Sequence, residues 1–268
     1  MEQITKPMLA TGYDKSRIKF PCLVQAKLDG CRAICLIGND NQVHILSRGN
    51  KEYNVPHLRA WAESHRDLLP LDGELYNHKD LSFQQICSAV KCCSSWTDKL
   101  KYVVYDKPVS GMKNKNRWAE LLCDLENENG VIELCQTIIC HSFEEIERWH
   151  DYFVQQGYEG AIIRNMDAFY TEGRSNNLMK LKKFDTDEFR VVDVLEAEGQ
   201  DKGTALFKLV NGSCIFHARP TGSKELRAKY LTERQQLIGK MCTVRHFGYT
   251  DGGIIPRFPV ALGIRDYE

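Results

Sequence analysis

A chain of 268 residues with 36 Lys and Arg against 36 Asp and Glu carries no net charge, which excludes a protein that grips a polyanion through its global field. Any nucleic-acid contact must use a local basic face, since residues 185–268 alone hold twelve acids and twelve bases. The 43% apolar share supports one large domain or a medium one with a small companion, no stretch approaches the roughly 18 apolar residues of a membrane span, and the opening MEQITKPMLATGYDK lacks the apolar core of a secretory signal.

The pattern then alternates between strand and helix. Strands are predicted at 22–28, 31–37 and 42–47, the last two joined by the turn GNDN. VPHLRAWAESHRDLL reads as a helix after its proline, LPLDGELYN as a strand and SFQQICSAVKC as a helix. KYVVYD reads as a strand and NRWAELLCDLEN as a helix. Ser142 and Glu145 form a capping box that opens a helix, and Gly157 stops it. YEGAIIR and NLMKLKKF return to strand. After Phe184 come short strands with one polar helix, SKELRAKYLTERQQL, a pattern that suggests a small OB-fold barrel. The charged KKFDTDEF is the expected joint. Eleven cysteines, scattered with no C-x-x-C and no zinc spacing, read as free thiols of a cytoplasmic protein.

The stretch VQAKLDGCR places Lys27 at a strand end, followed by Asp29, Gly30 and Arg32. A glycine turn lets a ligand approach the backbone, and a lysine there becomes a nucleophile if neighbouring cations or desolvation neutralise it. LMKLKKF puts Lys180 and Lys182 on one strand face. Asp72 and Glu74 share a face of LDGELY, and Glu159 begins an apolar strand. Carboxylates at strand ends can hold a divalent cation or a ribose hydroxyl. Arg48 and Arg174 sit in polar turns, and a guanidinium fork suits phosphate. Taken singly, each has a plain reading as a snorkelling lysine, a turn dipeptide or a surface arginine.

Their order changes that. K-x-D-G-x-R, S-R-G, D-G-E-L, YVVYD, E-G-A-I-I-R and L-M-K-L-K-K-F follow one another along the chain. The series resembles the covalent nucleotidyltransferases, the superfamily of DNA ligases, RNA ligases and mRNA capping enzymes. With GRS ahead of the paired lysines and PRFPVALGIRD near the end, it most resembles the minimal ATP-dependent DNA ligases of viruses and bacteriophages.

The resemblance implies an α+β fold. Residues 1–184 would form an adenylyltransferase (nucleotidyltransferase, ATP-grasp-like) domain of antiparallel sheets with helices, and 185–268 an OB-fold domain. It implies sealing of 5′-phosphate/3′-hydroxyl nicks in duplex DNA through lysyl-AMP and a DNA-adenylate, with ATP and magnesium, manganese being the substitute. Lys27 would be the nucleophile, Lys180 and Lys182 the α-phosphate contacts, and Glu74 the ribose contact. Tyr105 would stack on adenine and Gln25 touch it. Glu159 and Asp29 would serve the metal, Asp29 also acting in the later chemical steps. Arg32, Arg48 and Arg174 would grip the nucleotide or the 5′-phosphate of the nick. Arg265, with Arg257 as the alternative, would orient pyrophosphate. Arg219, Lys224, Arg227 and Lys229 would face DNA. The protein would act as a monomer closing around its nick, although LEAEGQDKGTALFKLVNG leaves little room for a DNA-wrapping loop. The rivals are a capping guanylyltransferase, an RNA ligase and a non-catalytic nucleic-acid-binding protein on the same scaffold.

Overall fold

The structure, a computed structural model, describes residues 6–77, 79–125, 128, 130–182, 184–250 and 253–265. The last motif, PRFPVALGIRD, extends at Asp266 outside the described residues. The chain divides into two compact units, Met1–Lys182 and Lys183–Glu268.

In the first unit the elements run β1 (Met8–Gly12), β2 (Cys22–Lys27), β3 (Cys31–Ile37), β4 (Val43–Ser47), α1 (Pro56–Ser64), β5 (Leu71–Tyr76) and α2 (Phe83–Ala89). They continue with β6 (Lys101–Asp106), α3 (Asn114–Leu125), β7 (Ile132–Leu134), β8 (Thr137–Cys140), α4 (Phe143–Gln155), β9 (Gly160–Asn165) and β10 (Gly173–Lys182). They build two five-stranded sheets, one in the order β1-β10-β9-β2-β8 and the other β4-β3-β5-β6-β7. β2 is buried along nearly its whole length, and its Cys22, Leu23 and Val24 are fully covered. Pro56 starts α1 at a position that needs no N–H donor. Ser82 and Gln85 close a full capping box on α2. On α4 Ser142 Oγ accepts from Glu145 N at 3.2 Å, but the Glu145 carboxylate takes the N–H of His141 rather than that of Ser142. Gly157, at φ 87°, ends that helix.

The sheets are not wholly antiparallel as expected. β1 runs parallel to β10, and β6 parallel to β7. Parallel neighbours need a long connection. Nearly the whole unit separates β1 from β10, and α3 lies between β6 and β7.

In the second unit β11 (Asp185–Glu196), β12 (Ala205–Asn211), β13 (Cys214–Pro220), α5 (Lys224–Thr232), α6 (Arg234–Leu237), β14 (Met241–His246) and β15 (Val260–Arg265) follow. Strands pair in the order β11-β12-β13-β15-β14, and β14 returns to β11, so the ring closes around its own apolar core. Two local expectations are corrected. The charged joint is already strand, since Asp185–Phe189 pair with His246–Cys242, and its Asp187 and Glu188 are exposed. The polar helix breaks at Glu233, where the backbone leaves helical geometry at ψ 15°.

Candidate active site

Three strand ends of the first sheet meet at one point. β2 and β10 both run antiparallel to β9, so Lys27 and Lys182 both stand opposite Gly160. Gly160 has φ 147°, and a Cβ there would lie 2.2 Å from the Leu181 carbonyl oxygen. Only glycine allows the three backbones to close so tightly. Glu159 is thereby fixed, its N–H donating to the Lys27 carbonyl at 2.9 Å. Its carboxylate bridges the two lysines, Oε2 accepting from Lys27 Nζ and Oε1 from Lys182 Nζ. Burial pushes the Glu159 carboxyl up, but Lys27 and Lys182 outweigh it and hold the group below its ordinary value. Burial, then Lys182 and Lys27, push Lys180 down.

The expected surroundings of Lys27 are therefore incomplete as cations alone, because a carboxylate sits between it and Lys182. Gly30 in the next turn is equally constrained, since a Cβ would lie 2.5 Å from the Leu75 carbonyl. That contact brings the turn after Lys27 onto β5 of the second sheet.

Arg32 on β3 pairs across the ladder with Glu74 on β5. Its guanidinium makes two bonds to Asp72, which is fully buried, and the Tyr170 hydroxyl donates to the same carboxylate at 2.7 Å. Tyr105 donates to Glu74 Oε2 at 3.1 Å, and the Arg32 and Arg164 guanidinium carbons lie 5.3 and 5.4 Å from the Tyr105 ring centre. Burial raises Glu74 to about 7, with Arg32, Lys27 and the Tyr105 bond pulling it back.

These groups wall a cleft of about 350 Å³ within the first unit, a usual size for a small-molecule site. Seven cations line it (Lys27, Arg32, Arg48, Arg164, Arg174, Lys180 and Lys182) against one carboxylate, Glu74. Gln25 and Tyr105 line it as well. Arg48 and Arg174 are solvent-exposed, whereas Lys27, Arg32 and Lys182 are largely covered. Asp29 is not part of the lining; its charge acts on the Tyr76 phenol.

The remaining candidates lie in the second unit. Arg219 and Arg227 both bond Asp201, Lys224 is the exposed first residue of α5, and Lys229 pairs with Glu233 at 3.7 Å. Arg265 Nε donates to Thr243 Oγ1 at 2.7 Å and to Glu188 at 3.2 Å. The Arg257 guanidinium lies 5.9 Å from the Phe258 ring centre.

Three contributors were not singled out from sequence. Arg164 ends the quoted EGAIIR, and period two puts it on the face of Ile162. Asp106 ends YVVYD and accepts from buried Arg117 Nε at 2.7 Å and from Arg164 Nη1. Burial opposes ionisation of Asp106, but the two arginines prevail and lower its pKa. Tyr170 carried no local signal.

A cleft so rich in cations, most of them at least half-buried, suits a polyphosphate with a lysine at hand. Residues 7–182 match the family model described as the ATP dependent DNA ligase domain, and the chain belongs to the ATP-dependent DNA ligase family. Nick sealing is the known activity of that family. The DNA ligase of Enterobacteria phage T4 is 23% identical over a 332-residue alignment covering 97% of this chain and 68% of the phage protein. The structure of a Lig E DNA ligase, described as binding DNA with a minimal scaffold, is 25% identical with a TM-score of 0.78. That likeness covers 98% of this chain and 100% of the other. A Chlorella virus DNA ligase-adenylate is 25% identical with a TM-score of 0.55, over 99% of this chain and 100% of that one.

Proposed function

We propose that Lys27 is the nucleophile through which this ligase seals nicks. Its Nζ attacks the α-phosphorus of ATP, the bond from that phosphorus to the bridging oxygen breaks, and pyrophosphate leaves. Lys27 is then a phosphoramidate of AMP. The 5′-phosphate at a nick next takes the AMP from Lys27, and the 3′-hydroxyl attacks that phosphate and expels AMP. All three steps are in-line phosphoryl transfers, helped by positioning and by positive charge on the oxygens that gain negative charge. The seven cations that line the cleft, against Glu74 in the lining and Glu159 on Lys27 and Lys182, carry this reading. Lys180 and Lys182 face the α-phosphate, Glu74 the ribose, Tyr105 and Gln25 the base, and Arg32, Arg48 and Arg174 the phosphates. Glu159 accepts from Lys27 Nζ, so it can hold the lysine's proton until attack.

Among the described residues no three His, Cys, Asp or Glu side chains gather into a metal cage. Magnesium typically takes one or two carboxylates and completes its shell with substrate phosphates and water. Glu159, one of its oxygens leaving a lysine to do so, would hold the ion together with the phosphates of ATP. When bound, the ion supplies counter-charge to the leaving pyrophosphate.

We assign the first unit as the adenylyltransferase domain and the second, whose five strands close on themselves, as an OB-fold. Arg219, Lys224 and Arg227 are its DNA-facing cations, and Arg265 orients pyrophosphate. The protein works as a monomer on nicked duplex DNA. The eleven cysteines, all free thiols, fit a reducing cytoplasm, and no helix among the described residues is long and apolar enough to cross a membrane.

The test is incubation with magnesium and α-labelled ATP or GTP, then a denaturing gel. Label retained from ATP and lost on adding nicked DNA is expected. Label from GTP alone would replace the reading with a capping enzyme. No label from either, with an unmodified intact mass, would leave a binding protein.

A further inference from the structure

Tyr170 lies between β9 and β10, is 5% exposed and does not line the cleft. Its ring packs with Met8 and Leu178, and the Arg117 guanidinium carbon lies 5.5 Å from the ring centre. Its hydroxyl accepts from the Met8 N–H at 3.0 Å and donates to Asp72 Oδ2 at 2.7 Å. The direction is forced. A backbone N–H can only donate, so the single hydroxyl proton is left for the carboxylate. Asp72 also accepts from Arg32, Oδ1 from Nε at 2.9 Å and Oδ2 from Nη2. That fork fixes the guanidinium relative to the carboxylate. It does not fix the pair relative to the fold, because the side-chain torsions of Asp72 would let both swing together. Among the described residues, the Tyr170 hydroxyl is the one partner that Asp72 holds outside the pair, and it is anchored in turn on the backbone of β1.

We infer that Tyr170 is a positioning residue for phosphoryl transfer, holding Asp72 so that the remaining N–H groups of Arg32 stay aimed into the cleft. A guanidinium carries five N–H donors and the fork uses two, so three are left for phosphate oxygens. In-line transfer is sensitive to that aim, because a charge displaced by about 1 Å no longer meets the oxygens that gain negative charge. The hydroxyl thus couples the docking of β1 to the grip on phosphate. This inference rests on the nucleotidyl-transfer reading above.

The experiment uses the full chain and follows two steps, labelling of Lys27 by α-labelled ATP and closure of a nick that already carries AMP on its 5′-phosphate. Tyr170→Phe removes one oxygen and keeps the ring. In at least one step kcat is expected to fall roughly 10-fold while KM moves by less than about threefold, because the Arg32 charge stays and only its aim is lost. Arg32→Gln removes the charge that would be aimed. Adding Tyr170→Phe to Arg32→Gln should then change the rate of that step by no more than about twofold. A full further loss in the double variant would make the hydroxyl a prop of the β1 seam alone and overturn the inference. Wild-type kcat in both steps for Tyr170→Phe would overturn it too. Should Tyr170→Phe fail to fold, Asp72→Asn decides. Its amide sets an N–H against the fork, so kcat falls in the same way, and unchanged rates overturn the inference. Wild-type protein that neither takes label nor closes the adenylylated nick defeats the underlying reading instead.

Discussion

Glu159 touches two of the three lysines in the cleft, and its exchange separates charge from shape. Glu159→Gln keeps the side chain's size and removes the anion between Lys27 and Lys182. We expect the rate of Lys27 adenylylation to fall about 100-fold, the lower end of what a positioned proton acceptor contributes, in single-turnover labelling. Lys27→Ala should abolish the label, and nicks sealed by that variant would sink the mechanism.

Glu74 makes a pH prediction. Its carboxyl sits at about 7 in the fold against an ordinary 4.5. The protonated form is thus favoured by folding. That stabilisation is complete below 4.5 and is lost as pH rises through about 7. Glu74→Gln stays neutral throughout. The free protein's melting midpoint should therefore drop less between about pH 5 and about pH 8 in this variant than in the wild type. Equal drops would show that Glu74 does not carry this linkage.

At the scale of elements, the site is a junction of strand ends that tolerates no added atom. Gly160→Ala places a methyl against the Leu181 carbonyl, and relief requires β9 and β10 to part. A loss of about 3 kcal/mol in urea unfolding is expected, together with slower labelling, since Lys182 moves away from Lys27.

The elements that carry the chemistry were legible because they are short apolar runs closed by a charged turn. KLDG after β2, LDGELY on β5 and EGAIIR on β9 announce themselves in this way. Others were not. MLATG has neither alternation nor punctuation, and it becomes strand through its pairing with β10 and the Met8 N–H bond to the Tyr170 hydroxyl. β7 and β8 have three and four residues, too few to show a period. Strand direction is a property of the partner, so neither parallel pair of the first unit could be read locally. The bond from Arg164 to Gln25 joins residues 139 positions apart, so no local pattern could show it.

For the whole molecule, zero net charge and a cleft of seven cations belong together. Positive side chains gather where a polyphosphate would bind, held by acids such as Asp72 and Glu159, and elsewhere cations pair with acids, as Arg219 and Arg227 do with Asp201. Affinity for nicked DNA should accordingly fall with salt along a shallow log–log line, because few phosphates can be neutralised at once. A slope of zero in a fluorescence titration would argue against that electrostatic contact.

The edge strand β1 has a further consequence. Its only ladder partner among the described residues is β10, the strand that carries Lys180 and Lys182 and the last to be made in the first unit. While the ribosome is still adding residues 173–182, β1 therefore has no template, and the lysines that complete the cleft arrive together with its seam. Contacts so distant along the chain are slow to close. The first unit therefore cannot complete its cleft until β10 has been made and its seam with β1 has closed.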